Sequence, residues 1–197
     1  MTRPAPSAPA PLVLASASPR RRVLLAALGA DFEVRPADVD ETLAPGEDPA
    51  AAAERLAAAK AAAVAAARPE ACVLAADTMV IESGEALGKP RDDAETRRFL
   101  RRLAGVPHTV VTAHVLRSPN GEAAARVATE VWLRALSDAE IERWVESGAG
   151  LDKAGGYAIQ DVGAALVDEI HGCYSNVVGL SLPAVLALAA RLGVELV

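Results

Sequence analysis

One stretch constrains this chain more than any other: Leu12 to Leu28, LVLASASPRRRVLLAAL. Its apolar opening, Leu12 to Ala15, reads as a buried strand, and Ser16, Ala17 and Ser18 break the run with small residues that suit a tight turn. Ser18 offers an N-cap oxygen, and Pro19 fits the first helical position, where the absent N–H costs nothing. Leu24, Leu25 and Leu28 predict a helical apolar stripe, with Gly29 as its stop. Strand, serine turn and helix N-terminus form one unit whose free N–H groups and helix dipole attract anions. Arg20, Arg21 and Arg22 fall in the first helical turn, where cations oppose the dipole unless an anion binds among them. Two readings of this stretch weigh equally: a phosphate site, or a solvated basic face.

After Gly29, Phe32 to Val34 reads as a short strand, and residues 37 to 47, ADVDETLAPGE, form an acidic loop holding Asp38, Asp40 and Glu41. Asp48 and Pro49 start an Ala-rich helix of high propensity that runs to Pro69. Lys60 lies within it. A lysine stem can lie along an Ala surface to reach a ligand, but a solubilising lysine is the preferred reading of this residue by itself. ACVLAA, residues 71 to 76, is the candidate central strand, followed at once by Asp77 and Thr78, with Met79 to Ile81 resuming the run. Open α/β sheets bind ligands at the carboxyl ends of their strands, where a carboxylate can hold a divalent cation or take a proton. Asp77 is therefore the leading catalytic candidate, against an Asx-turn that merely closes the strand.

Gly84 and Glu85 predict a hairpin turn, and Lys89 sits on the constrained loop Gly88 to Pro90. Asp92 and Glu95 form the pattern of a capping box for a helix through Leu103, whose Arg97, Arg98, Arg101 and Arg102 read as a solvated face. Thr109 to Leu116 and Ala125 to Leu133 predict an antiparallel hairpin around Asn120-Gly121. Ser137 and Glu140 give a second capping box, with Ile141, Trp144 and Val145 on the buried side. Residues 150 to 160, GLDKAGGYAIQ, read as a Gly-rich loop entering a strand at Gln160, whose amide suits a nucleobase edge or strand-end backbone groups equally. Ala164 to Ile170 is a further strand, and a loop from His171 leads into a closing C-terminal helix.

The whole chain narrows the function classes. At 197 residues it can bury a real core, but aromatics are only 3%, which removes stacking platforms for nucleic-acid bases. A formal net charge of -6 argues against a general nucleic-acid or anionic-membrane binder. No apolar run approaches the ~20 residues of a membrane helix. Cys72 and Cys173 are read as reduced thiols, and Met1 to Pro11 as a disordered Pro/Ala lead-in ahead of a cytoplasmic protein. Three histidines, His108, His114 and His171, support neither a zinc site nor a Ser-His nucleophile, and no Walker A or GxGxxG motif occurs.

LASASPRRR, VDET, Lys60 in its helix, LAADT, LGKP, LDKAGGYAIQ and NVVGLSLP follow one another in the order seen in the Maf family of nucleoside-triphosphate pyrophosphatases, and the resemblance covers nearly everything after Pro11. It implies an α/β fold, a mixed sheet flanked by helices related to the inosine-triphosphate pyrophosphatases. It further implies one domain over residues 12 to 197, or two lobes around a substrate cleft, and a dimeric state. The activity implied is cleavage between the α and β phosphates of a nucleoside triphosphate, dependent on Mg²⁺ or Mn²⁺. By motif, Asp77 resembles the general base or metal ligand, Glu41 the second acidic residue of the metal site, and Ser16, Ser18, Arg21, Lys60 and Lys89 the phosphate-binding set. Arg20, Thr78 and Gln160 resemble the pattern of the subgroup acting on dTTP and UTP, where Gln160 could pair with the O4 and N3–H edge of the base. The alternative from a different class is a nucleotide-binding regulator of cell division or septum formation, in which hydrolysis is incidental.

Overall fold

The computed structural model describes residues 10 to 196, so the lead-in expected from Met1 lies outside the described residues except at its last two positions. Among the described residues, seven strands form one mixed sheet: β1 (Leu12–Leu14), β2 (Phe32–Val34), β3 (Cys72–Glu82), β4 (Glu85–Leu87), β5 (Pro107–Ser118), β6 (Gly121–Leu133) and β7 (Val167–His171). Their order is β2-β1-β3-β5-β6-β7, with β4 paired to β3. β1 runs parallel to both β2 and β3, while β3, β5, β6 and β7 are antiparallel in turn. The expected mixed α/β architecture is what the chain adopts.

Helices cover both faces. The Ala-rich α2 (Pro49–Ala67) lies on one, where Ala52, Leu56, Ala57, Ala61 and Val64 meet Val13, Val73, Ala75 and Val115. Small side chains on both partners bring the helix close to the sheet, which replaces bulky residues as the source of dispersion contact. On the opposite face, α1 (Pro19–Ala26) and α6 (Leu182–Leu192) bury Leu25, Val185 and Leu188 against Leu14, Leu74 and Leu116. At the far end α3 (Asp93–Leu103) and α4 (Asp138–Glu146) pack Phe99, Leu100, Ile141 and Trp144 on Val80, Val110 and Val131. The short α5 (Tyr174–Val178) leads into α6.

One detail of the sheet creates the site. β5 pairs with β3 from Val73 to Ile81, so β3 is a single strand through Asp77 and Thr78, not a strand that closes after Ala76. On its other edge β1 pairs only as far as Leu74, and β4 begins only at Val80. Residues 75 to 79 therefore lie on an edge with no strand partner, framed by two strands. The end that matters is that of β1, where the serine turn begins. Alternation along β3 sends Asp77 to the α2 face and Thr78 to the face of α1 and α6.

Three local readings need correction. The Gly-rich loop does not enter a strand at Gln160: it makes 3₁₀ turns at Ala154–Gly156 and Asp161–Leu166, and β7 starts only at Val167. Left-handed backbone at Gly155, Gly156 and Asp161 breaks any extended run there. Asp92 caps α3 by accepting from the Glu95 N–H, but the Glu95 carboxylate turns to the Arg91 N–H, so only half of that box forms. Ser137 and Glu140 complete theirs. The α3 arginines are not simply solvated, since Arg97 and Arg101 tie α3 to α4 through Glu142 and Asp138.

Candidate active site

The serine turn folds on itself as its composition requires. Ser18 Oγ accepts the Arg21 N–H at 3.4 Å as the N-cap of α1, and Ser16 Oγ accepts the Ser18 N–H at 3.2 Å. Of the three arginines following it, Arg22 is exposed, whereas Arg20 and Arg21 line the cleft. Arg21 runs beneath the turn. Its Nε donates to Gly179 O at 2.8 Å, Nη1 to Ser16 Oγ at 3.2 Å and Nη2 to Thr78 Oγ1 at 3.0 Å. Burial pulls its pKa below the usual arginine range, opposed by the charge of Asp77. The planar fork thus locks β1, β3 and the loop after α5 into one frame. Thr78 Oγ1 also shares a hydrogen bond with Thr112, which donates to Asn176 O.

On the other face of β3 stands an ion triad. Lys60, with its side chain only 9% exposed, places Nζ 2.6 Å from Asp77 Oδ1 and 2.6 Å from Glu41 Oε1. A buried ammonium needs such partners, and two carboxylates on one ammonium are its full charge complement and one more. Lys60 is therefore no solubilising residue. Its helix, chosen by sequence for close packing, aims it at the unpaired edge of β3. Burial pushes the Glu41 carboxyl up, but the Lys60 hydrogen bond and the charges of Lys60, Lys89 and Arg21 outweigh it and hold it below the usual carboxylate range.

A cleft of about 560 Å³ opens over this edge. All ten residues singled out by sequence line it: Ser16, Ser18, Arg20, Arg21, Glu41, Lys60, Asp77, Thr78, Lys89 and Gln160. The Gly-rich loop forms the opposite wall and is anchored from behind. Trp144 Nε1 donates to Gly156 O at 2.8 Å, and the buried Tyr157 hydroxyl meets His108 Nε2 at 2.7 Å. Burial lowers the His108 pKa to about 4, so the ring is neutral at pH 7. Gly150 has no room for a side chain, because a Cβ there would come within 2.4 Å of Gly156 O. Gly155 N–H donates to Gly88 O at 3.0 Å, joining this wall to the loop of Lys89.

Sequence reasoning missed the anchors and one pairing. Trp144 and Tyr157 carried apolar and motif signals that said nothing of their polar atoms. Asp152 bonds Arg20 across the cleft mouth at 2.7 Å, and only its place in the DK pair of the Gly-rich loop could have flagged it. The carboxylates of Asp77 and Glu41 both meet Lys60 Nζ, so a cation beside Lys60 would have these two carboxylates to hold it. Among the described residues no group of three or more His, Cys, Asp or Glu comes together. That thin oxygen-only donor set fits Mg²⁺ or Mn²⁺ bound largely through water and substrate oxygens, and not zinc.

Strand edge, cation-lined turn and carboxylate pair thus face one cleft. The family model described as "Maf-like protein" matches residues 11–192, and the chain belongs to this family. A dTTP/UTP pyrophosphatase of Anaeromyxobacter dehalogenans is 53% identical over 94% of this chain and 95% of its own length. One of Deinococcus radiodurans is 48% identical over 98% and 97%. Among solved structures, a HAM1 protein from Coxiella burnetii aligns with a TM-score of 0.46 and 17% identity over 64% of this chain and 74% of that one. No helix among the described residues is long and apolar enough to cross a membrane.

Proposed function

We propose that this protein is a nucleoside triphosphate pyrophosphatase that hydrolyses the α–β phosphoanhydride, prefers dTTP and UTP, and so clears nucleotides from the pool as monophosphate and pyrophosphate. The observation that carries the reading is the Lys60 bridge. It holds two carboxylates at the unpaired edge of β3, directly beside the serine turn and Arg21. The names borne by relatives of 53% and 48% identity support the same activity and the same bases.

Phosphoryl chemistry asks mainly for positioning and charge compensation. The serine turn, Arg21, Lys60 and Lys89 receive the triphosphate. Asp77 orients a water and takes its proton as the water oxygen bonds to the α phosphorus. The bond from that phosphorus to the bridging oxygen breaks, and pyrophosphate leaves with the electron pair. Asp77 and Glu41 are the residues that would hold Mg²⁺ or Mn²⁺. When bound, the metal supplies charge neutralisation at the phosphates. Gln160 offers the paired donor and acceptor that match a thymine or uracil edge. Thr78 acts through Arg21, since its hydroxyl is engaged there. One Maf-like domain from Leu12 onward, a homodimer and a cytoplasmic location belong to this proposal by resemblance.

The test is pyrophosphate release from a panel of nucleoside triphosphates with Mg²⁺ or Mn²⁺, on wild type and Asp77→Asn. Turnover of dTTP and UTP, little turnover of purines, and collapse in the variant are expected. A folded wild type that cleaves no triphosphate would overturn the proposal in favour of the regulatory role.

A further inference from the structure

Asp152 poses a problem of charge. It lines a cleft that also carries Arg20, Arg21, Lys60, Lys89 and Lys153, and a carboxylate facing a polyanionic substrate opposes its binding. Unlike Asp77, it lies away from the Lys60 triad. Its contacts say what it does instead. Asp152 Oδ2 accepts from Arg20 Nη1 at 2.7 Å, and the backbone carbonyl of the same residue accepts from Arg20 Nη2 at 3.3 Å. Both terminal nitrogens of one guanidinium are thus held by one residue, which fixes the plane of the group as well as its place. The remaining oxygen, Oδ1, accepts from Lys153 Nζ at 2.5 Å, and Lys153 is tied in turn to Ala149 O. The pair spans the cleft mouth, from the first turn of α1 to the loop that carries Gln160.

We infer that Asp152 is a positioning residue for base selection: it pins Arg20 to the Gln160 loop, so that guanidinium and amide meet the base in one frame. The inference rests on the proposed pyrimidine triphosphate activity. Hydrogen bonds from Lys153 and Arg20 outweigh the upward push of burial and keep the carboxyl below its usual range, so the pin holds at neutral pH. With Arg20 and Asp152 side chains 27% and 59% exposed, solvent screens the pair and its effect is modest.

Charge and position give opposite signs in one experiment. Steady-state kcat and KM for dTTP and dGTP are measured on wild type, Asp152→Asn, Asp152→Glu, Arg20→Ala and the double variant Arg20→Ala/Asp152→Asn. Asp152→Asn is expected to raise KM for dTTP about fivefold, more than for dGTP, with the loss carried by KM and not by kcat. Asp152→Glu should recover part of it, and Asp152→Asn should add nothing once Arg20 is alanine. A lower KM for both nucleotides would mean that Asp152 acts only as a repelling charge. An equal loss for both, persisting without Arg20, would mean it only shapes the loop, and either result overturns the inference. Wild type that fails to cleave dTTP refutes the proposed activity itself, whereas selective wild type with an unaltered Asp152→Asn refutes only the role of Asp152.

Discussion

The two walls of the cleft are built on different principles. The wall proposed to carry hydrolysis stands mostly on regular elements: β3 carries Asp77 and Thr78, α2 carries Lys60 and α1 carries Arg21, with Glu41 added from a loop. Lys60 and Asp77 are buried and Arg21 is half-buried, and each contacts another of these groups, the exposed loop residue Glu41 or a backbone carbonyl. The wall proposed to face the base is a glycine-rich loop whose Asp152, exposed at the cleft mouth, pairs with Arg20 of α1, and whose stability comes from behind through Trp144 and Tyr157. Groups that must match charge developing on phosphorus gain from rigid placement in low dielectric. A wall that must admit or refuse a planar base needs close backbone approach instead, and glycine supplies it.

Breaking the hydrolytic wall should have the largest effect. Lys60→Met leaves Asp77 and Glu41 facing each other without their shared cation. It is expected to lower unfolding free energy by about 3 kcal/mol and kcat/KM by at least about a hundredfold. Denaturant titration and pyrophosphate release check both. A folded Lys60→Met enzyme with near-normal turnover would show that the triad is only structural.

Acid should come next, acting through the sheet behind both walls. Burial holds His108 and His114 at about 4, against 6.5 in an unfolded chain. Between those values the unfolded chain binds more protons, so stability is complete above pH 6.5, declines as pH falls towards 4, and levels off below. Each ring contributes on the order of 3 kcal/mol over that window. Glu41, held below its usual range, adds a loss of the same sign at lower pH. His114 Nε2 accepts the Ser181 N–H at 2.8 Å, an acceptor role that His114→Gln can retain. That variant is expected to flatten the acid limb of a Tm-against-pH curve, and an unchanged slope would contradict the assignment.

The smallest effects belong to the loop wall. Tyr157→Phe leaves the buried His108 Nε2 without its partner and should cost about 1–2 kcal/mol of stability, with a raised KM for dTTP and little change in kcat. Gln160→Ala should raise KM for dTTP about tenfold while leaving dGTP unaffected. Equal losses for both bases would show that the loop contributes shape and not recognition.

The same division explains what could be read from the sequence. The serine turn, the Asp48 and Ser137 caps and the Asn120-Gly121 hairpin are decided within a few residues, and each forms where local chemistry puts it. Asp77 and Thr78 were visible as polar residues in an apolar run, although the reason their edge of β3 has no strand partner is the early end of β1, a fact of pairing between distant strands. Lys60 could not be assigned from its helix, because its partners are 17 and 19 positions away in directions that only the packed sheet defines. The strand expected to begin at Gln160 is absent, since left-handed backbone at Gly155, Gly156 and Asp161 leaves no trace in hydrophobic period. Asp152 was legible only as a member of a motif, and its pairing with Arg20 spans 132 positions.

The central claim is that a water activated at Asp77 attacks the α phosphorus. Single-turnover hydrolysis of dTTP in ¹⁸O-labelled water, with the products separated and weighed by mass spectrometry, tests it most directly. The account expects one labelled oxygen in the nucleoside monophosphate and none in the pyrophosphate. Label in the pyrophosphate, or release of inorganic phosphate in its place, would put the water against a different phosphorus and contradict the account.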